Sequence, residues 1–343
     1  MTEPFKHRVA QAARIILGRP VSRVAQREIP ALTDGEIAEA RQFFPLEKFF
    51  IFGHARAGTT VFVRLVRLHP EVHCSYQAHF FTRPPLLESL VAEKEVGDWL
   101  KRESNRWNRG RDLSPVILRA AADMILEREA RRENKRIVGD KSPNNLLDGR
   151  AVQLMHKIYP DARLIYILRD GRDTILSHRI QAFVEFPERL SQEDQRICRD
   201  FSQDPEPFRR GERSVFSEAG IQHAAEGWVR NVTQTHSLGM DLYGERYLVS
   251  RYEDLLVRPW QEMTRLWKFL NASPPPAELE NAVDDEMYRN PDADWQQEKA
   301  REIAVSIKKG KQGSWQEMFT ARDRKIFLQV AQDTLANWGY DSL

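Results

Sequence analysis

The stretch KFFIFGHARAGTTVFVRLVRLHP, Lys48 to Pro70, decides the fold. Phe49, Phe50, Ile51 and Phe52 form an apolar run without alternation, as in a strand covered on both faces. Gly53 and Gly58 bracket a tight turn. Thr59 and Thr60 then begin a helix in which Val61, Phe62, Leu65, Val66 and Leu68 recur at helical spacing. A glycine-containing turn that feeds a helix N-terminus presents backbone N–H groups and the positive end of the helix dipole. Both favour an anion at that point.

A loop that binds a nucleoside triphosphate reads G-x-x-x-x-G-K-[ST], with the lysine on the outer phosphates and the hydroxyl on magnesium. Gly53 and Gly58 keep that spacing, but Thr59 stands where the lysine belongs, and the cation is Arg56, inside the turn. The loop therefore suits a phosphate-like group while lacking the equipment for ATP and magnesium. A kinase reading is set aside on that ground.

Outward from this loop, strands and helices alternate. Short strands are expected at Glu71–Cys74, Arg136–Gly139, Arg163–Leu168 and Tyr247–Tyr252. Helices are expected from Thr33, whose spacing to Glu36 is that of a capping box, and over 86–103. Ser114-Pro115 caps another, to which Ile117, Ala121, Met124 and Ile125 give an apolar stripe. Further helices are expected over 151–159, from about Arg172, over 219–238, from Arg258-Pro259, and from Thr320 to Gly339. This order implies an α/β fold: a single domain with a central parallel sheet flanked by helices. Residues 1–45 read as an N-terminal helical extension and 46–343 as the domain, with 181–216 a polar, irregular insertion. Ligands of such sheets sit beyond the strand C-terminal ends, so the loops after Phe52, Gly139 and Leu168 are expected to converge there.

Composition narrows the field. Of the 343 residues 41% are hydrophobic and 30% charged, with a net charge of +2, which fits a globular protein with a real core and not a nucleic-acid binder. No apolar run has the length of a membrane span, and Ala12–Leu17 is too short, and too interrupted by Arg14, for a leader. A basic helix over 5–17 is a candidate for peripheral membrane contact. Two cysteines, Cys74 and Cys198, suggest a reducing, cytoplasmic setting, and no His/Cys cluster has metal-ligand spacing, so no metal is expected.

Three further segments carry chemistry. Arg169 ends a buried strand and Ser177 lies two turns into the next helix; an arginine fork plus a hydroxyl suits a terminal phosphate. The plainer alternative pairs Arg169 with Asp173. Lys308-Lys309-Gly310-Lys311-Gln312-Gly313-Ser314-Trp315 combines cations, glycines and an indole, which can meet a phosphate or an adenine. Tyr252-Glu253-Asp254-Leu255 ends the last strand. In order and spacing these segments, with Arg56-Ala57-Gly58-Thr59-Thr60, resemble the sulfotransferases that use 3′-phosphoadenosine 5′-phosphosulfate (PAPS). The likeness spans about residues 48–338 and is nearest to the carbohydrate, tyrosyl-protein and bacterial types. It implies that residues 56–60 hold the 5′-phosphosulfate. Arg169 and Ser177 would then hold the 3′-phosphate, with Lys308, Lys309 and Gly310 beside it, and Tyr252 would meet the adenine. Ala57 replaces the family's common serine, and Lys308 its arginine. PAPS is the implied donor and 3′-phosphoadenosine 5′-phosphate (PAP) the product. The acceptor would be a hydroxyl or amine of a carbohydrate, lipid or small molecule, bound by residues 77–110 and 181–216.

Sulfuryl transfer needs cations on the bridging oxygen, donors on the sulfuryl oxygens and a base for the acceptor proton. Arg56 and Lys141 are the candidate cations, Lys141 lying in Gly139-Asp140-Lys141-Ser142-Pro143, which resembles the family's G-[DE]-K-[ST]-P. Relatives carry E-x-H-F-F, whose glutamate is the base; this chain has Gln77-Ala78-His79-Phe80-Phe81. His79 and Asp140 are the candidates for that role, or Gln77 orients an acceptor that needs little help. The alternative is a PAPS- or PAP-binding protein without transfer activity.

Overall fold

The computed structural model describes residues 28–82, 87–144, 149–288 and 313–340. In chain order the elements are α1 (Asp34–Phe43), β1 (Glu47–Gly53), α2 (Thr59–Val66), β2 (Val72–Tyr76), α3 (Lys94–Lys101), α4 (Ser114–Arg132) and β3 (Ile137–Lys141). Then come α5 (Arg150–Ile158), β4 (Arg163–Leu168), α6 (Gly171–Glu185), α7 (Gln192–Gln203), α8 (Glu206–Arg209), α9 (Glu218–Tyr243) and β5 (Tyr247–Arg251). They are followed by α10 (Tyr252–Val257), α11 (Pro259–Phe269), α12 (Leu279–Tyr288), α13 (Ser314–Met318) and α14 (Ala321–Asn337). The strands pair in the order β2-β3-β1-β4-β5, all parallel. From β1 the chain crosses to the edge strand β2, returns to β3 beside β1, then passes to β4 and β5 on the other side, so the switch point lies at β1, between β3 and β4.

The unbroken apolar run of β1 follows from cover on both faces. Phe50 and Phe52 pack in the cluster that holds Leu118 and Leu126 of α4, Met155 of α5 and Trp228 of α9. Phe49 and Ile51 point the other way, among Phe62 and Leu65 of α2 and Leu266 and Trp267 of α11. Alternate residues thus feed opposite cores, each contributing about 2 kcal/mol by burial. Lys48, at the base of the same strand, is also buried; its Nζ donates to Glu127 Oε1 at 2.7 Å and to two backbone carbonyls.

The expected capping box Thr33/Glu36 is formed, and Thr320 with Asp323 forms a second at the start of α14. Four expectations need correction. Residues 181–216 are not irregular: they hold the end of α6, then α7 and α8, and bury Phe183, Phe201, Phe208 and Phe216 in the main core. Their polar residues lie on the outer faces of short amphipathic helices, which hid the period. The apolar stripe of α4 faces outward, with Met124 60% and Ile125 53% exposed, and the buried side is Leu118, Ala122 and Leu126 with the charged Arg119, Asp123 and Glu127. Ser114 is the first residue of α4, not its cap, which is Leu113. Tyr252 starts α10 rather than ending the last strand. The expected helix over 5–17 lies outside the described residues.

Candidate functional site

Because β3, β1 and β4 are neighbours, the loops that leave them meet at one rim. In register, Tyr76 and Ile51 flank Lys141, Gly53 faces Ile167, and Leu168 faces Arg251. The loop after β1 turns sharply, the Ala57 N–H donating to the His54 carbonyl at 3.0 Å. Arg56 sits at φ 73° and Gly58 at φ 89°. A Cβ at Gly58 would fall 2.3 Å from the Tyr252 ring, so both the backbone angle and the packing demand glycine. Among the described residues no side chain caps α2, and its first turn holds no acidic residue, so the positive end of its dipole there suits an anion.

Two cations brace this loop. Arg56 Nε donates to Ser177 Oγ on α6 at 3.1 Å. Arg169, at the end of β4, donates from Nη1 to the Arg56 carbonyl at 3.1 Å and holds its guanidinium 4.9 Å from the Tyr252 ring centroid. Asp173 is the link to the C-terminal segment: its carboxylate accepts from the Gly313 N–H at 2.8 Å and the Trp315 N–H at 3.3 Å. Burial raises the Asp173 pKa and the Arg169 charge opposes that rise. Asp173 does come within 4.0 Å of Arg169 Nη2, yet its short bonds go to the α13 backbone. Residues separated by up to 259 positions in the chain, Arg56, Arg169, Ser177, Tyr252, Gly313 and Trp315, are thereby brought together. Trp315 itself is stacked under Arg172, whose guanidinium carbon lies 4.0 Å from the ring centroid, and so props the rim from below. Lys308, Lys309 and Gly310 lie outside the described residues.

On the other side of β1, Lys141 is fully buried, with Nζ 3.9 Å from the Tyr76 ring centroid. The Tyr76 hydroxyl donates to Thr60 Oγ1 at 3.0 Å, which joins the end of β2 to the start of α2. Gln77 and His79 both take left-handed backbone angles, φ 58° and 52°. Gln77 is exposed; His79 is buried, with Nδ1 2.8 Å from Thr82 Oγ1. Asp140, the other candidate base, accepts from the Ala78 N–H at 3.0 Å and from the Ser142 hydroxyl at 2.5 Å. Burial raises its pKa to about 6 against those two bonds. Each of its oxygens accepts one of these bonds, so the carboxylate is tied to the 77–79 turn.

Sequence reasoning missed the roles of four residues. Tyr76 was detectable only through its register with Lys141. His54 and His178 stack edge to face with ring centroids 5.9 Å apart; burial lowers both pKa values, that of His178 to about 4. His54 Nδ1 donates to the Ala55 carbonyl at 2.8 Å, so Nε2 of its neutral ring carries the lone pair. Glu253 accepts from the Asp170 N–H at 2.9 Å and from the Tyr340 hydroxyl at 2.7 Å, tying β4 to the C-terminus.

Fold and site together define an α/β protein whose sheet rim gathers Arg56, Arg169 and the N-terminus of α2 around one loop. The sulfotransferase family profile matches residues 48–276, and the chain belongs to that family. It is 24% identical over 225 residues to a protein-tyrosine sulfotransferase of Drosophila melanogaster, a match covering 65% of this chain and 37% of the fly protein. A protein-tyrosine sulfotransferase 2 of Gallus gallus is 22% identical over 249 residues, covering 72% of this chain and 57% of that protein. The matched part is thus less than two thirds of either relative. Among solved structures, a mouse sulfotransferase complexed with PAP aligns over 85% of each chain at 15% identity with a TM-score of 0.46.

Proposed function

We propose that this chain moves a sulfuryl group from PAPS to an acceptor hydroxyl or amine by in-line displacement. The observation that supports it is the convergence of Arg56, Arg169, Ser177 and the Asp173-anchored α13 on one rim. The two arginines and the start of α2 supply matched positive potential for the two ends of a doubly phosphorylated adenosine. Arg56 with the Thr59 and Thr60 backbone holds the 5′-phosphosulfate; Arg169 and Ser177 hold the 3′-phosphate, with Lys308, Lys309 and Gly310 beside it; Tyr252 meets the adenine. As the acceptor oxygen bonds to sulfur, the bond from sulfur to the 5′-phosphate breaks. Lys141 and Arg56 stabilise the negative charge that develops on the departing PAP. The acceptor's proton passes to solvent water in the same process.

The acceptor class favoured is a phenol, tyrosine in a protein being the named acceptor of both relatives. Gln77 occupies the place of a carboxylate base, and a phenol, with a pKa of about 10, asks least of a base. A carbohydrate or lipid hydroxyl is the second reading. Radiolabelled PAPS incubated with tyrosine peptides, p-nitrophenol, oligosaccharides and lipids separates them, with label expected on the phenols. Tight PAP binding with no label on any acceptor would instead support a nucleotide-binding protein without transfer.

A further inference from the structure

Three consecutive backbone N–H groups at the end of β2 are caught by three consecutive residues at the end of β3. The Gln77 N–H donates to the Lys141 carbonyl at 2.8 Å, Ala78 to the Asp140 carboxylate at 3.0 Å, and His79 to Ser142 Oγ at 2.9 Å. Ser142 in turn donates its own proton to Asp140 Oδ2 at 2.5 Å, so one carboxylate orders two of the three contacts. The turn it holds is costly. Gln77 and His79 both carry side chains at left-handed angles, a conformation that residues other than glycine avoid. A buried carboxylate is costly too. The two expenses sit in contact, immediately after Tyr76, which covers Lys141, and at the exposed Gln77.

We infer that Asp140 is a positioning residue: its carboxylate locks residues 77–79 into a left-handed turn and so sets the wall against which an acceptor is held beside Lys141. The inference rests on the transfer reading for its consequence but not for its geometry. Protonation of Asp140 at Oδ2 would place an O–H where the Ser142 hydroxyl now donates, while Oδ1 would still accept from the Ala78 N–H. Its charged and titratable neighbours are the adjacent Lys141, which favours the anion, and the buried Cys74 thiol on β2, whose pKa burial and Asp140 raise. The relay as it stands, with the Ser142 hydroxyl donating to Oδ2, is that of the ionised carboxylate.

The test is Asp140→Asn, with Ser142→Ala as a milder break of the same relay, measured three ways. Amide exchange at 77–79 is expected to quicken at least 10-fold in Asp140→Asn; in Ser142→Ala the His79 amide alone is expected to quicken. PAP affinity stays within 2-fold of wild type. Sulfuryl transfer from p-nitrophenyl sulfate to PAP, read as released p-nitrophenolate, falls at least 10-fold, and its rise with pH near 6 disappears in Asp140→Asn. Unchanged exchange at 77–79, or a PAP affinity that falls as much as turnover, would overturn the assignment. A wild-type protein inert towards p-nitrophenyl sulfate would count against the transfer reading, and the exchange measurement would still decide the role of Asp140.

Discussion

Arg169→Ala separates the two ends of the nucleotide. Its guanidinium makes one bond that any bound nucleotide would feel, from Nη1 to the Arg56 carbonyl at 3.1 Å, because that bond shapes the loop after β1. Losing it costs about 1 kcal/mol, or roughly 5-fold, for every ligand of that loop. The proposed bidentate contact to a 3′-phosphate is charge-assisted and largely desolvated, the side chain being 9% exposed. That contact is worth about 3 kcal/mol, or roughly 150-fold, and only a 3′-phosphorylated ligand feels it. PAP should therefore bind several hundred-fold more weakly to the variant and adenosine 5′-phosphate only about 5-fold more weakly. Calorimetry with PAP, and competition for the weaker ligand, measure both on the same preparations. Asp173 keeps its bonds from Gly313 and Trp315, so the melting temperature should move little. Equal losses for the two nucleotides would mean that Arg169 serves the loop alone, and the assignment of the 3′-phosphate would be wrong.

Lys141→Ala should lower turnover about 100-fold while PAP affinity changes less than about 3-fold, since the charge it stabilises is greatest in the transition state; the opposite pattern would make Lys141 a nucleotide ligand only. Gly58→Ala should weaken PAP at least 10-fold, because the left-handed angle costs about 1–2 kcal/mol and the new Cβ meets the Tyr252 ring. In a Tyr252→Ala background the same change should cost measurably less, and strict additivity would refute the packing argument. Asp140 has a folded pKa near 6, raised by burial above the ordinary 3.8, so its contribution to stability is full below pH 3.8 and is lost as pH rises through 6. Urea titrations of wild type and Asp140→Asn should therefore show the difference shifting by about 3 kcal/mol in the variant's favour between pH 3 and 7.5; a flat difference would refute it.

What could be read from the chain alone was whatever local chemistry dictates. The Phe49–Phe52 run and the glycine spacing are local, and both the buried strand and the turn are where they were expected. The rim was legible for a different reason: a parallel sheet puts all strand C-termini on one edge, so Arg56, Lys141 and Arg169 had to meet once the strands were identified. The errors arose where burial is decided by neighbours. Residues 181–216 look polar because α7 and α8 bury only a few side chains each, Phe201 and Phe208 among them. In α4 the obvious apolar stripe is exposed, and a charged row, Arg119, Asp123 and Glu127, goes inside. It does so because Asp161, Tyr159 and Lys48 wait there as partners, and pairing across 36 to 79 residues leaves no local mark. The Asp140 relay escaped notice for the same reason, since only the β2–β3 register reveals that residues 77–79 lie against 140–142.

The carboxylates of the rim bear on the acceptor. Asp140 holds Ala78 and Ser142, Asp170 is chelated by Arg172, Asp173 caps α13, and Glu253 bonds Asp170 and Tyr340. Each of these four is committed to structure. A general base contributes about 10²–10⁴-fold, or roughly 3–5 kcal/mol. Moving from a hydroxyl as weakly acidic as water, with a pKa of about 15.7, to a phenol near 10 eases proton loss by about 8 kcal/mol. Acceptor acidity can thus supply more than the missing carboxylate would. Under the proposed transfer, p-nitrophenol should outrun any alkanol of comparable size by more than 100-fold at saturating PAPS, and Gln77→Glu should narrow the gap by speeding the alkanol. A sugar hydroxyl labelled as fast as the phenol would show that a base has been overlooked on this rim.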